Sequence, residues 1–154
     1  MAFHIVLVEP EIPSNTGNIA RTCAATGTTL NLVRPLGFST DDKYLKRSGL
    51  DYWPLVDVRY YDSFAEVTER FAGSRFFCAT TKAKTHYSDF SYRDGDVFVF
   101  GKETAGLPAA ILQTYRDTLI RLPMGQAIRS LNLANSAAII VYEALRQTGF
   151  PGLV

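Results

Sequence analysis

The chain has 154 residues, 47% of them hydrophobic and 20% charged, with a formal net charge of +1 at pH 7. That balance fits one globular domain over residues 1–154, and it lacks the basic excess that announces a polyanion binder. No apolar run approaches the ~20 residues of a membrane span. The opening MAFHIVLVEPEIP reads as a first strand rather than a leader, and two cysteines are too few for a disulfide framework or a zinc site. A reducing, cytoplasmic setting is expected.

The first strand is expected over residues 3–8. A loop broken by Pro10 and Pro13 leads into a helix over about residues 15–26, capped by Ser14 or Asn15 and stopped at Gly27. LNLV (30–33) reads as a second strand, ended by Pro35. DDKYLKRS reads as a short helix with acid in its first turn and base in its last, matching the helix dipole. LVDVRYY is a third strand. SFAEVTERFA opens with Ser63 and has Glu66 three residues on, a capping-box pattern. RFFCATT and DVFVFG are the fourth and fifth strands. Pro108 opens a helix to about Tyr115, TLIRLP is a sixth strand, and residues 132–147 form a final helix stopped by Gly149 and Pro151.

Strands alternating with helices argue for an α/β domain, a mostly parallel sheet with helices on both faces. The final helix is apolar around well over half its circumference, through Ala137, Ala138, Ile139, Ile140 and Val141 among others. Packing on a sheet needs only one apolar stripe. The excess predicts a second buried contact, a homodimer interface on this helix.

Several chemistries lack their motif. Gly101 and Gly106 have the spacing of a phosphate loop, but Leu107 and Pro108 stand where Lys and Ser/Thr are required. No GxGxxG follows the first strand, and no GxSxG is present. His4 lies in a strand and His86 in a polar loop, without metal spacing, so no metal site is expected. Cys23 and Cys78 sit in apolar patterns and read as buried thiols.

Three motifs remain. NTGNIART brings Asn15, Gly17, Asn18 and Arg21 to one helix start, and Arg suits bidentate contact with phosphate or carboxylate. GKETAGLP puts Glu103 just past a strand end between Gly101 and Gly106, where a ligand can approach the backbone closely. RSLNLANSA crowds Arg129, Ser130 and Asn132 at the entry of the last helix, whose free N–H groups favour anionic or carbonyl ligands. Each alone reads equally as a cap or a turn. Strands that end at Gly or Pro before polar loops build a cleft at the carboxyl edge of a sheet.

Together, from IVLVEPEIPSNTGNIART through GFSTDDKYLKRSGLDYW, DGDVFVFGKETAGLP and RLPM to RSLNLANSAAIIVYEALRQ, these motifs resemble the SPOUT superfamily of RNA methyltransferases in its SpoU branch. The nearest likeness is to the minimal tRNA wobble-nucleotide 2'-O-methyltransferases of TrmL (YibK-like) type, and it covers essentially the whole chain. Lys102 stands where Pro is common in that group, and Ala134 where Ser is common.

The resemblance implies a C-terminal deep trefoil knot (the alpha-beta knot), an exception to unknotted connections. It implies a homodimer, binding of S-adenosyl-L-methionine and release of S-adenosyl-L-homocysteine. By the same resemblance the cofactor site falls on Ala79, Thr80, Gly101, Glu103, Leu122, Met124, Ser130 and Leu131. Arg21 matches the arginine beside the target ribose. Asn15, Glu103, Ser130 and Asn132 match the polar residues that shape the site, and Tyr142 a tyrosine of the dimer-face helix. The implied substrate is the anticodon stem-loop of tRNA, methylated on the ribose of a wobble cytidine or modified uridine. A guanidinium holds its proton at neutral pH, so two roles stay open for Arg21: base, or stabiliser of the forming alkoxide while water takes the proton. Lys43, Lys46, Arg47, Lys82, Lys84, Arg93 and Arg129 are expected to line an RNA groove, with Tyr52 or Trp53 as stacking platforms. The alternatives are the same chemistry on ribosomal RNA and, from another class, a flavodoxin-like binding module.

Overall fold

The structure is a computed structural model and describes residues 2–39, 43–48 and 50–154. The elements in chain order are β1 (His4–Val8), α1 (Pro13–Thr26), β2 (Thr29–Val33), α2 (Lys43–Ser48), β3 (Val58–Tyr61), α3 (Phe64–Arg70), β4 (Phe76–Ala79), β5 (Val97–Phe100), α4 (Ala109–Thr114), β6 (Leu119–Ile120) and α5 (Leu133–Gln147). The strands form one sheet in the order β3-β2-β1-β5-β4-β6. Every pairing is parallel, with Ile5 opposite Leu30 on one side and Phe98 on the other.

Strand alternation sorts the apolar residues by face. Ile5, Leu7, Leu30, Leu32, Phe77, Phe98 and Phe100 point to one face, where they pack with Ile19, Ala20 and Cys23 of α1 and with Ala137, Ile140, Val141, Ala144 and Leu145 of α5. Val6, Val8, Val33, Cys78, Val97 and Val99 point to the other, against Val67 of α3 and Leu112 of α4. Each fully buried Ile, Leu or Phe contributes about 1.5–3 kcal/mol of transfer free energy. Burial pushes both thiols, Cys23 and Cys78, up to about 12. The outer side of α5 leaves Ile139 39% and Tyr142 46% exposed.

Several local expectations are corrected. Helix α1 starts at Pro13 with Ile12 as its cap residue and no side-chain cap. Neither Ser14 nor Asn15 caps it, because a first-turn proline already fits the helix start. The third strand begins at Val58 rather than Leu55, since residues Leu50–Leu55 form a 3₁₀ turn. The acidic first turn expected for α2 lies outside the described residues. The capping box holds in modified form. Ser63 accepts from Glu66 N, while the Glu66 carboxylate reaches back to Asp62 N. At α5, Asn132 is the cap, accepting from Asn135 N at 3.1 Å.

Candidate cofactor pocket and adjoining groove

All strands are parallel, so the segments that follow them gather at one edge. There the ends of β4, β5 and β6 and the entry to α5 enclose a cavity of about 520 Å³. Ala79 and Thr80 come from the end of β4, Gly101 and Glu103 from the loop after β5, Leu122 and Met124 from the segment after β6, and Ser130 and Leu131 from the entry to α5. All eight line this one cavity, as do Asn15 and Asn132.

The loop after β5 is folded tightly on itself. Gly106 N donates to Lys102 O at 2.8 Å, with Gly106 at φ +69. A Cβ on Gly101 would lie 2.1 Å from the Gly106 carbonyl carbon and 2.3 Å from Leu107 N. Gly101 is therefore required by its own loop, a reason that adds to the expected one, close approach of a ligand at the cavity it lines.

Glu103 has both carboxylate oxygens engaged. It accepts from Glu11 N (2.9 Å), Ile12 N (2.8 Å) and Asn15 Nδ2 (3.2 Å). Glu11 returns the clasp, accepting from Thr104 N at 3.0 Å and Thr104 Oγ1 at 2.7 Å, and these bonds hold its carboxyl below the usual carboxylate range. Asn15 Oδ1 accepts from Asn132 Nδ2 at 3.0 Å. A single chain of hydrogen bonds thus ties the β5 loop to the start of α1 and the cap of α5. It fixes three walls of the cavity against one another.

Arg21 and Tyr142 are not in this cavity. They line a second cleft of about 540 Å³ between α1 and α5, together with Asn18, Thr22 and Asn135. Asn132 lines both clefts and forms the wall between them. The Arg21 guanidinium carbon lies 4.9 Å from the centroid of the Tyr52 ring. Asn135, three residues beyond Asn132, was missed as a groove residue, although helical spacing places both on one face.

Of the expected basic residues, Arg93 stands apart from the others. Lys82 lines the cavity, and Lys84 and Arg129 are exposed. Arg93 sits in the turn where Gly95 N donates to Ala2 O, at the amino edge of the sheet and opposite the cavity. Lys43 and Arg47 are exposed on α2; the Lys46 side chain lies outside the described residues. Trp53 is half-buried against the core. Among the described residues no three His, Cys, Asp or Glu side chains converge on a metal-sized site, and no helix is long and apolar enough to cross a membrane.

The model of the SpoU rRNA Methylase family matches residues 2–142. A protein of Methylovorus glucosotrophus (strain SIP3-4) named tRNA (cytidine(34)-2'-O)-methyltransferase is 51% identical over 153 residues, covering 99% of each chain. A solved structure described as "Structural insights into the 2-OH methylation of C/U34 on tRNA" superposes with TM-score 0.92 at 44% identity, covering 96% of this chain and 97% of that one. The SpoU methyltransferase AviRb from Streptomyces viridochromogenes, solved in complex with the cofactor AdoMet, is 28% identical with TM-score 0.83. That match covers 94% of this chain and 57% of the other.

Proposed function

The chain belongs to the SpoU rRNA Methylase family, and on that premise we propose that it methylates the ribose 2'-hydroxyl of the wobble nucleotide, cytidine or modified uridine, in tRNA anticodon loops. The observation that carries this is the convergence of all eight expected cofactor residues on one cavity. The full-length relative named for cytidine 34 of tRNA supports that substrate over ribosomal RNA.

The cavity fits S-adenosylmethionine. Its volume of about 520 Å³ lies in the ~300–1,000 Å³ range of small-molecule sites. Its walls join apolar side chains (Leu122, Met124, Leu131) to hydroxyls at Thr80 and Ser130 and to loop backbone. When bound, the cofactor supplies an electrophilic sulfonium methyl. The protein's task is alignment. The clasp of Glu103, Asn15 and Asn132 holds the cavity walls. Arg21 offers its N–H donors to the ribose oxygen as that oxygen loses its proton to water.

Arg21 and the cavity occupy separate clefts of one protomer. A homodimer resolves this if the α1–α5 groove of one protomer faces the cavity of the other. The exposed Ile139 and Tyr142 on α5 support that interface. A knot is also part of the reading. Ile120 O accepts from Thr80 N on one side of the chain, while Arg121 exchanges backbone bonds with Thr85 and Tyr87 on the other. Backbone bonds from the 80–87 loop to both sides of residues 120–121 support that reading. The reading places the protein in the cytoplasm as one 154-residue domain.

The test is transfer of label from S-adenosylmethionine to total tRNA lacking native 2'-O-methylation. Label on the ribose of nucleotide 34 is expected. Cofactor binding with label only on ribosomal RNA would replace the substrate, and no cofactor binding would overturn the reading.

A further inference from the structure

Arg21 stands on the exposed side of α1, where a long side chain ordinarily samples many rotamers. Among the described residues no carboxylate forms an ion pair with it. Its recorded contact is the ring of Tyr52, 4.9 Å from centroid to guanidinium carbon. Tyr52 belongs to the 3₁₀ turn Leu50–Leu55, which packs on α1. In a 3₁₀ turn successive side chains point about 120° apart. Trp53 goes into the core cluster and anchors the turn, while Tyr52 meets Arg21.

The kind of contact matters. A bidentate carboxylate would hold the guanidinium by occupying two of its five N–H donors. An aromatic face holds a cation through the ring quadrupole. It restrains the group and leaves those donor pairs open to a ligand oxygen.

We propose that Tyr52 is a positioning residue for Arg21, fixing the guanidinium over the α1–α5 groove with its donors open. This rests on the reading of Arg21 as the group beside the ribose oxygen. The sequence pattern offers Tyr52 instead as a platform for RNA bases, and the two roles separate by experiment.

The experiment uses the full-length protein with in vitro transcribed tRNA and S-adenosylmethionine, in Tyr52→Leu, Tyr52→Phe, Arg21→Ala and the double variant Tyr52→Leu/Arg21→Ala. An exposed cation–ring contact corresponds to about a two- to fivefold effect, so Tyr52→Leu is expected to lower kcat by that factor with KM for both substrates unchanged. Tyr52→Phe, which keeps the ring face, restores the rate. In the Arg21→Ala background, removing the ring has no further effect. The Arg21 side-chain NMR resonances report the geometry without activity: the upfield ring-current shift disappears in Tyr52→Leu and stays in Tyr52→Phe. A raised KM for tRNA, or a Tyr52→Leu effect that persists without Arg21, would assign Tyr52 to RNA contact and overturn the proposal. Full activity in Arg21→Ala would overturn the reading of Arg21, and the proposal with it. A defective Arg21→Ala beside an unaffected Tyr52→Leu would sink the positioning role alone.

Discussion

Gly101→Ala tests the construction of the cofactor cavity. The new Cβ would sit 2.1 Å from the Gly106 carbonyl carbon, and an unstrained carbon contact needs ~3.5 Å. The 101–107 loop must therefore open by more than about 1 Å. That movement breaks the 2.8 Å bond from Gly106 N to Lys102 O and shifts the wall that carries Glu103. Overpacking of this kind costs about 1–3 kcal/mol. For a chain of this size that lowers Tm by roughly 3–10 °C. A displacement near 1 Å at a positioning wall costs on the order of 10²-fold in rate. Differential scanning fluorimetry reads the stability loss, labelled methyl transfer reads the rate, and calorimetric titration of S-adenosylmethionine reads the cavity itself. Gly125→Ala is the control, because a Cβ there meets nothing within 4 Å. A Gly101→Ala protein with the Tm and cofactor affinity of Gly125→Ala would refute the tight-loop argument.

Three further outcomes follow from the same geometry. Glu103→Gln replaces one acceptor oxygen with an NH₂ that, in either orientation, faces an N–H donor, that of Glu11 or that of Ile12. A loss of about 1–3 kcal/mol in urea unfolding is expected, with weakened cofactor binding in parallel; an unchanged midpoint would contradict the clasp. Burial, and then the nearby Arg70 charge, hold the His4 imidazole below its usual value of 6.5. The unfolded chain then binds more protons at mildly acid pH. The His4 contribution is present above about pH 6.5 and is lost as pH falls through the folded value, so His4→Gln should flatten the urea midpoint between pH 7 and 5.5. Cys23 and Cys78, both buried and pushed up to about 12, should react with a thiol reagent only after denaturation, and rapid labelling of the native protein would contradict their placement.

The sheet was legible because its signals are local. Continuous apolar strands such as VFVF and IVLV, each ended by a turn residue, mark parallel core strands. The residues that line the cavity were reached through the family resemblance. What could not be read was the reason for several residues, because that reason lies in contacts distant in sequence. Asn15 looks like a helix cap, yet it bridges Glu103, 88 residues away, and Asn132, 117 away. Gly101 looks like room for a ligand, and the close pass of its own loop at Gly106 was not visible. The aromatic pair Tyr52–Trp53 looks like one platform, but the 3₁₀ turn sends Trp53 to the core and Tyr52 to Arg21. Arg93 joins the basic residues by charge alone and falls on the opposite edge of the sheet.

The central claim is that the groove carrying Arg21 completes the cavity of a partner protomer. Mixed dimers test it directly. One protomer carries Arg21→Ala with an intact cavity. The other carries Ser130→Trp, chosen to block the cavity and checked by its loss of cofactor binding, with Arg21 intact. Each variant alone should keep only residual activity. If the site is shared, co-refolding the two should rebuild one complete site per mixed dimer and restore methyl transfer to nucleotide 34 in proportion to the mixed-dimer fraction. If each protomer works alone, every site keeps one defect, and a mixture no more active than its parents would contradict the account.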